Sequence, residues 1–194
     1  MATSPTDWVS SESAAQSLGI PADSLSVALK SELEGYIAAA IQYAEIYTGR
    51  DLLDRQKSVR NKCLRTIRDR VMVYGVYDWK DGTDVIIQYY KASDRVQADR
   101  LTMQNDEYQV EYDEGNYTLT LVPVGDNGNW PSDIDKFWLI QFSVGMEANR
   151  YPQMKTALQL IVNDLYNAVP MYTTTAKRTY DHFLDPLKRL TPTS

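Results

Sequence analysis

The sequence of 194 residues contains a single cysteine, a single histidine and few phenylalanines. Cys63 has no second cysteine to pair with, and one cysteine with one histidine cannot furnish a Cys/His zinc site. No apolar run approaches the ~18 residues that a membrane span needs, and the N-terminal stretch lacks the charged-then-apolar order of a secretory signal. We therefore expect the chain to fold in a cytoplasm without a disulfide, a metal or a membrane anchor.

The composition is that of an ordinary globular chain, with 43% hydrophobic and 24% charged residues and a net charge of −6. Its unusual feature is aromatic, since 14 tyrosines and 4 tryptophans stand against 3 phenylalanines. Tyrosine and tryptophan bury a ring while keeping a polar tip available, which favours surfaces that another chain covers. The alternative interpretation is a solvated strand face, where tyrosine is also common.

Apolar residues recur every three or four positions over 24–48, which predicts a long helix ended by Gly49. Gly35 costs about 1 kcal/mol inside such a helix. Together with the alanines at 38–40 it forms a small-residue patch that another helix, from this chain or a neighbour, could approach closely. A second long helix is predicted to begin at Pro152, because proline suits the first helical turn. Shorter helices are predicted over 10–18 and on either side of Pro186.

Between these helices the apolar period changes from about 3.6 to two, which is typical of strands. The predicted strands are 71–77, 84–91, 107–112, 116–122 and 137–144. The short turn after 107–112 predicts a hairpin in which Gly115 takes a positive φ. The fold prediction is α+β: one domain over 1–194, with a helical bundle from 1–50 and 151–194 and an inserted small antiparallel β-sheet from 51–150.

The residue types in the sequence give little support for a catalytic function. His182 lies between Asp181 and Asp185, as a base held by a carboxylate would, but no catalytic serine motif accompanies it. We interpret it as a polar residue on the outer face of a terminal helix. Cys63 lies among basic residues and is interpreted as a small, semi-buried strand residue. The sequence therefore predicts no enzyme, no catalytic residue, no cofactor and no metal site.

Charge is distributed unevenly along the chain. The basic segment, residues 55–70, carries seven cationic side chains against Asp69 alone, a net +6 that leaves −12 for the remainder of the chain. Three interpretations remain: a strip that contacts phosphates, a docking surface for an acidic protein, and a solvated strand edge protected by charge.

Several longer strings follow one another in a recognisable order. They are SELEGYIAAAIQYAEIYTGRDLL, VIIQYYKASD, DEYQVEYDEGNYTLTLVP, NWPSDIDKFWLIQFSVG, YPQMKTALQLIVNDLYNAV and FLDPLKRL. In order and spacing they resemble the head–tail connector, or head completion adaptor, family of tailed bacteriophages: an early helix ending in Tyr-Thr-Gly-Arg, tyrosine-rich strands, and a late helix that opens with proline.

The resemblance implies a non-enzymatic structural protein of the virion neck, assembled in the host cytoplasm. Such adaptors form a ring of about twelve copies that docks beneath the portal protein and carries the next neck or tail component. Packaged DNA passes through the channel at ejection without sequence-specific binding. The resemblance also implies that the C-terminal segment docks on the portal, and the candidates there are Tyr180, Phe183, Leu184, Leu187, Lys188 and Arg189. For the same segment, the alternative is a helix that closes the protein's own core.

The basic segment supplies the second set of interface candidates, for contact between identical subunits or with the portal. These candidates are Arg55, Lys57, Arg60, Lys62, Arg65 and Arg68. A tail terminator or stopper of the same neck is the first alternative function, although such a protein should be mostly sheet. A small cytoplasmic ligand-binding domain or enzyme is the second, and it would need a concave site built from loop carboxylates and His182.

Overall fold

The computed structural model describes residues 4–60, 65–67, 70–80, 84–91, 101–124, 129–130, 134–168 and 178–189. The helices are α1 (Pro5–Trp8), α2 (Ser11–Ser17), α3 (Val27–Thr48), α4 (Pro152–Tyr166) and α5 (Thr179–Leu184), with 3₁₀ turns at Ala22–Ser24 and Asp185–Leu187. The strands are β1 (Arg55–Arg60), β2 (Arg65–Ile67), β3 (Arg70–Tyr74), β4 (Ile86–Lys91), β5 (Leu101–Thr102), β6 (Tyr108–Asp113), β7 (Thr118–Pro123) and β8 (Ile134–Val144).

The chain divides into two compact units. The helical unit comprises Met1–Asp54 and Gly145–Ser194, and the β unit comprises Arg55–Val144. Helices from both ends of the chain therefore belong to one unit, and the strands belong to an insert between them. The predicted α+β class is confirmed. That all of 1–194 acts as a single adaptor domain stays a prediction.

The long helix α3 begins and ends with the capping residues that helices prefer. The Ser26 side chain accepts a hydrogen bond from the Leu29 amide at 3.2 Å, and Gly49 takes the left-handed conformation with φ 69° after the last turn. The predicted start at residue 24 was wrong by three residues, because Ser24 belongs to a separate 3₁₀ turn. The start of α4 at Pro152 is as predicted.

The core of the helical unit joins the two ends of the chain. Its large, fully buried side chains come from α3, α4, α5 and the loops beside them, and they include Leu33, Leu52, Met146, Met154, Leu158, Ile161, Tyr180 and Leu184. The indole Nε1–H of the buried Trp8 donates to the Leu52 carbonyl oxygen at 3.1 Å. The two long helices thus pair through a shared apolar core, as their amphipathic stripes predicted.

The β unit is built from antiparallel strands. Within the described residues they form two four-stranded sheets, in the orders β1-β8-β4-β5 and β2-β3-β7-β6, where the sequence predicted one sheet. Apolar residues of both sheets form one core, among them Val71, Val73, Ile87, Leu119, Leu121, Ile140 and Phe142. The alternating pattern of each strand defines its buried face, but it does not say which strands will pair.

The β6–β7 hairpin turns differently from the prediction. The residue with the positive φ is Tyr117, at 50°, and not Gly115. The Asp113 carboxylate organises this turn by accepting hydrogen bonds from the Asn116 side chain at 2.7 Å and from its backbone amide at 3.2 Å. These bonds stabilise the charged carboxylate and lower the pKa of Asp113.

Candidate interface surfaces

The C-terminal segment, residues 178–189, packs against the helical unit of its own chain. Tyr180, Leu184 and Leu187 are 1%, 0% and 5% exposed, within the core that α3 and α4 share. The Tyr180 ring meets the Tyr43 ring edge-on, with centroids 5.6 Å apart. Burial of three large side chains in a segment this short is enough to hold it in place. The segment therefore closes the core of the helical unit.

Polar contacts on the other side of the segment fasten it to α3. The Tyr43 hydroxyl donates to Asp181 Oδ1 at 3.1 Å, and the Tyr47 hydroxyl donates to Asp185 Oδ1 at 2.8 Å. Burial raises the pKa of Tyr43, and its hydrogen bond to the Asp181 carboxylate raises that pKa further. The pKa of Tyr47 is raised by burial first and by Asp185 second. Both phenols therefore stay protonated donors over the neutral range.

The last two described residues also contact α3 and the chain that follows it. Lys188 Nζ lies 3.0 Å from Asp185 Oδ1 and 3.9 Å from the centroid of the Tyr47 ring, and these two neighbours raise the pKa of Lys188. Arg189 Nη2 lies 3.3 Å from Asp51 Oδ2, and the Arg189 amide donates to the Thr48 carbonyl at 2.9 Å. The segment is thus tied down at its end as well as along its length.

These contacts divide the predicted portal-docking set into two groups. Tyr180, Leu184 and Leu187 point into the protein's own core, so they position the segment. Phe183 and Arg189 are half-buried and Lys188 is exposed, so these three side chains keep part of their surface accessible. Docking on a portal stays a prediction, and in the folded chain it would depend on the second group.

The basic segment begins with an edge strand. β1 lies at the end of its sheet and pairs with β8, from Arg55 opposite Val144 to Arg60 opposite Leu139. Arg55 and Arg60 are exposed, and Val59 packs against the core of the β unit. A charged edge resists pairing with stray strands, which supports the interpretation as a protected strand edge.

The remaining interface candidates of the basic segment lie on β1, on β2 or outside the described residues. Lys57, on β1, is half-exposed. The backbone of Arg65 belongs to β2, whereas Lys62 and Arg68 lie outside the described residues, as does Cys63. The exposed Arg70, on β3, lies 3.4 Å from Glu111 of β6 through its Nη1 atom. The positive charge is therefore spread over strands of both sheets.

Among the residues that the structure describes, no arrangement suited to catalysis surrounds His182. The residue is exposed on α5, while its sequence neighbours Asp181 and Asp185 bind the tyrosines of α3. Over the part of the chain that the structure describes, no group of three or more histidine, cysteine or acidic residues could hold a metal ion. A surface groove of about 520 Å³ lies beside α2, and among the described residues that line it Glu12 alone is ionisable. That the chain is not an enzyme stays a prediction.

None of the helices in the described ranges combines the length and the apolar composition that a bilayer crossing requires.

One surface was only partly anticipated from sequence. The side of α3 that faces away from the core carries the exposed Glu32 in its N-terminal half and no charged residue from Gly35 to Gln42, and it exposes Ile46 by 75% and, at its margin, Val27 by 87%. Of the predicted small-residue patch, Gly35, Ala38 and Ala39 are exposed on this side, whereas Ala40 is fully buried in the core of the helical unit. A Cβ atom placed on Gly35 would meet no described atom within 4 Å. No described element of this chain therefore covers Gly35.

Comparison with known proteins identifies the fold. No protein-family model matches the sequence, and no curated protein matches it. The chain is similar to a protein in the neck of an empty gene transfer agent (GTA) particle computed with C6 symmetry, with TM-score 0.60, 15% identity, and coverage of 97% of this chain and 94% of that one. It is also similar to a chain in the virion of a native GTA particle, with TM-score 0.57, 14% identity and coverage of 98% and 94%.

A third similar chain comes from the neck of a native GTA particle computed with C12 symmetry, with TM-score 0.53, 15% identity, and coverage of 98% of this chain and 96% of that one. The fold of this protein is therefore an α+β fold that occurs in the necks of phage-like particles, and it spans nearly the whole chain. At the level of the fold, the sequence-based resemblance to head–tail connectors is confirmed.

Proposed function

We propose that this protein is a structural component of the neck of a tailed phage or phage-like particle. In this role it acts as a head–tail adaptor, whose ring docks beneath the portal and connects the DNA-filled head to the tail. The observation that carries the proposal is the fold similarity to a GTA neck chain over 97% of this chain and 94% of that one. A similarity confined to one unit would indicate only a shared structural module. The observed similarity extends over both the helical unit and the β unit.

The arrangement of the helices supports an adaptor over a tail terminator or stopper. α3 and α4 lie far apart in the sequence, yet their buried residues form one core with α5. A terminator built mainly from sheet would not need such a core. The helical unit instead supplies a rigid body from which subunit contacts can be made.

The net charge supports a channel protein that lets DNA pass. With 26 acidic against 20 basic side chains, the chain as a whole repels phosphates. The basic segment is the exception. Its exposed β1 edge is better suited to contact an acidic protein surface, because a ring whose basic residues all faced the channel would retain the genome that must leave it.

Imaging of the purified chain mixed with portal rings tests the proposal directly. We expect an additional ring stacked on the portal, with about twelve copies. A six-fold ring is the alternative, because one similar neck chain comes from a C6 reconstruction and another from a C12 reconstruction. Counting subunits in two-dimensional class averages decides between the two. A chain that leaves the portal bare, in the presence of the other neck proteins, contradicts the adaptor role.

A charge reversal tests the portal contact itself. Lys188→Glu changes an exposed side chain of the C-terminal segment that carries no core packing. We expect this variant to fold and to lose portal docking. Arg150→Glu is the matched control, since Arg150 is also exposed and ion-paired within the helical unit, to Glu147 at 2.8 Å. Equal docking by both variants would remove the C-terminal segment from the interface.

A further inference from the structure

Strand β6 lies at the end of its sheet, and the hydrogen bonds to its one partner, β7, can be assigned residue by residue. The Val124 amide donates to the Glu107 carbonyl at 2.9 Å, so these two residues form a hydrogen-bonded pair of the antiparallel ladder. Pairs that exchange hydrogen bonds alternate with pairs that do not. Along β6 the next hydrogen-bonded pair is therefore Gln109 with Val122.

The backbone groups of Val110 point away from β7. Because Val110 follows a residue that is bonded to β7, its N–H and C=O face the outer edge of the sheet. Pro123 supports this assignment, because it has no N–H and lies opposite Tyr108, in a pair that exchanges no hydrogen bonds. No described strand pairs with the outer edge of β6, and the strand contains neither a proline nor a bulge. This edge can therefore accept a further strand.

The opposite edge of the same sheet is β2, and its hydrogen bonds follow from the same alternation. Leu121 of β7 lies between residues bonded to β6, so its backbone bonds to its partner Val71 of β3. Met72, the next residue, then turns its backbone to β2, where its partner is Arg65. The backbone N–H and C=O of Thr66 are consequently directed to the outer edge of β2. Among the described strands, the sheet thus has an open edge on both sides.

The two open edges match each other in direction. All neighbouring strands of this four-stranded sheet are antiparallel, so its edge strands β2 and β6 run in opposite directions. A second copy of the chain, placed beside the first in the same orientation, therefore brings its β2 antiparallel to β6. Rotation about the axis of a ring preserves this orientation. Each subunit would use β6 toward one neighbour and β2 toward the other, which is the heterologous contact that a closed ring requires.

Thr66 and Val110 define the register of such a pair. Thr66 lies opposite Val71, and Val110 lies opposite Leu121, so both positions belong to the face of the sheet that covers the core of the β unit. Residues directly opposite each other in neighbouring strands share a face, and a slip by one residue would break this agreement. Pairing Thr66 of the second copy with Val110 therefore satisfies both the buried face and the free backbone groups.

The same register places residues of opposite charge across from each other. It sets Arg65 of the second copy opposite Glu111, and Ile67 of that copy opposite Gln109. Gln109 and Glu111 are exposed on the face of β6 that points away from the core. Glu111 lies 3.4 Å from Arg70 of its own chain, but its side chain remains 56% exposed and accessible to a second cation. Opposite charges at facing positions stabilise a strand pair.

Charge also favours β2 over β6 as the strand that the second copy contributes. Residues 106–114 contain five acidic and no basic side chains, whereas residues 60–70 contain five basic and one acidic. An antiparallel pair of two β6 strands centred on Val110 would place Glu107 opposite Asp113 at both ends. Like charges directly opposite each other destabilise a strand pair. The acidic edge therefore disfavours its own copy and favours the basic one.

We propose that β6 receives the β2 strand of a second copy of this chain, with Val110 paired to Thr66 and Glu111 opposite Arg65 of that copy. The inference rests on the proposed function for its ring, and it names the two strands that join neighbouring subunits. Because β2 has three residues, one such contact is weak by itself, and it needs a closed ring or a high protein concentration to persist.

Disulfide trapping tests the contact and its register. Facing residues that exchange no hydrogen bonds have Cα atoms about 4.5 Å apart, within reach of a disulfide, and Ile67 with Gln109 is such a pair in the proposed contact. In a Cys63→Ser background, a chain with Ile67→Cys is mixed with a chain with Gln109→Cys, so that each chain has a single cysteine. We expect mild oxidation to join the two chains, and mass spectrometry of the digest identifies the bridge. Val122→Cys replaces Gln109→Cys in the control, because Val122 lies in the same row one strand further in, and the bridge should be lost.

Removal of one backbone amide tests whether strand pairing carries the contact. Val110→Pro, made in the Gln109→Cys chain, deletes an N–H that makes no bond to β7, so the ladder within the subunit is kept. Val110→Thr keeps this amide and is the matched control. We expect the proline variant to lose the bridge to Ile67→Cys and the threonine variant to retain it, while circular dichroism shows both to be folded. Thr66→Pro in the Ile67→Cys chain repeats the test from the other strand, and it should also lose the bridge.

The trapping is performed both with concentrated protein alone and with the chains assembled on portal rings. Absence of the bridge from both mixtures, or equal trapping by the Val122→Cys control, overturns the inference. A bridge that survives in folded Val110→Pro overturns it as well. If rings form on the portal without the bridge, the proposed function stands and only this contact is wrong. If the original chain leaves the portal bare but the bridge forms in concentrated protein, the contact stands and the adaptor role is wrong.

Discussion

Replacing Leu184 by alanine tests whether the C-terminal segment belongs to the helical core. Leu184 is fully buried on α5, and its neighbours Tyr180 and Leu187 are 1% and 5% exposed. If the segment is part of the folding unit, truncating Leu184 must destabilise α3 and α4 as well. If it is an arm that lies loosely on the surface, the rest of the helical unit should be unaffected.

The expected magnitude follows from the burial. Leucine loses three carbon groups on truncation to alanine, which at roughly 0.8 kcal/mol each removes about 2.4 kcal/mol of transfer free energy. The cavity that remains adds to this loss, so we expect the free energy of unfolding to fall by ~3 kcal/mol. Leu160→Ala is the matched control, because Leu160 is only half-buried on α4. It should cost about 1 kcal/mol.

Urea titrations followed by far-ultraviolet circular dichroism measure both changes, because most of the helical signal comes from the helical unit. The midpoint for Leu184→Ala should fall clearly below that for Leu160→Ala, with the slope of the transition unchanged. A cost below ~1 kcal/mol for Leu184→Ala, or equal costs for the two variants, would refute the assignment of this segment to the core.

Three further changes test other contacts. Tyr43→Phe removes the donor to Asp181 and should cost about 1 to 2 kcal/mol at neutral pH. Because burial and Asp181 raise the pKa of Tyr43 in the folded state, its contribution is complete below the unfolded pKa of about 10 and is lost as the pH rises above it. The variant should therefore show a shallower alkaline loss of stability in urea titrations, and an unchanged slope would contradict this. Gly145→Ala would place a Cβ atom 2.6 Å from Asp54 Oδ1 and 3.1 Å from Asp54 Cα, so the thermal midpoint should fall by the equivalent of ~1 to 3 kcal/mol. Gly35→Ala has open space around it and should instead raise the midpoint by the equivalent of about 1 kcal/mol; a fall would show that the side of α3 facing away from the core is already covered at Gly35.

The long helices were predictable because each carries its own signal. The apolar stripe of α3 and the glycine after it define both a buried face and an end, and Pro152 marks the start of α4. The exact start of α3 was missed, because both Ser24 and Ser26 are suitable capping residues. Only the backbone path through the 3₁₀ turn at Ala22–Ser24 selects Ser26.

Edge strands and short elements were harder to predict. β1 reads Arg-Gln-Lys-Ser-Val-Arg, and only Val59 contributes an apolar side chain to the core. An edge strand with so little burial shows no alternation of apolar and polar residues. α1 and β5 have four and two residues, too few for any period to appear. The pairing of strands into two sheets depends on contacts between distant residues, which no local pattern reports.

The candidate interfaces show the same limit. The sequence predicts that the apolar side chains of the C-terminal segment are buried; they are those of Tyr180, Phe183, Leu184 and Leu187. The same pattern would arise whether they pack against their own chain or against a portal. The structure supplies the cover for three of them. In contrast, Gly35 and the alanines at 38–40 predicted a close approach by another helix. Ala40 is buried in the protein's own core, whereas the described residues leave the space over Gly35 open.

The junction between the helical unit and its insert has a consequence for how such a protein can diversify. Arg55 lies opposite Val144 at the first rung of the β1–β8 ladder, while the Met146 amide donates to the Asp51 carbonyl at 2.9 Å on the helical side. The chain therefore leaves the helical unit and returns to it at almost the same point. A gene could exchange or delete the entire insert while keeping the helical scaffold, so this junction is where we expect neighbouring lineages to differ most in length.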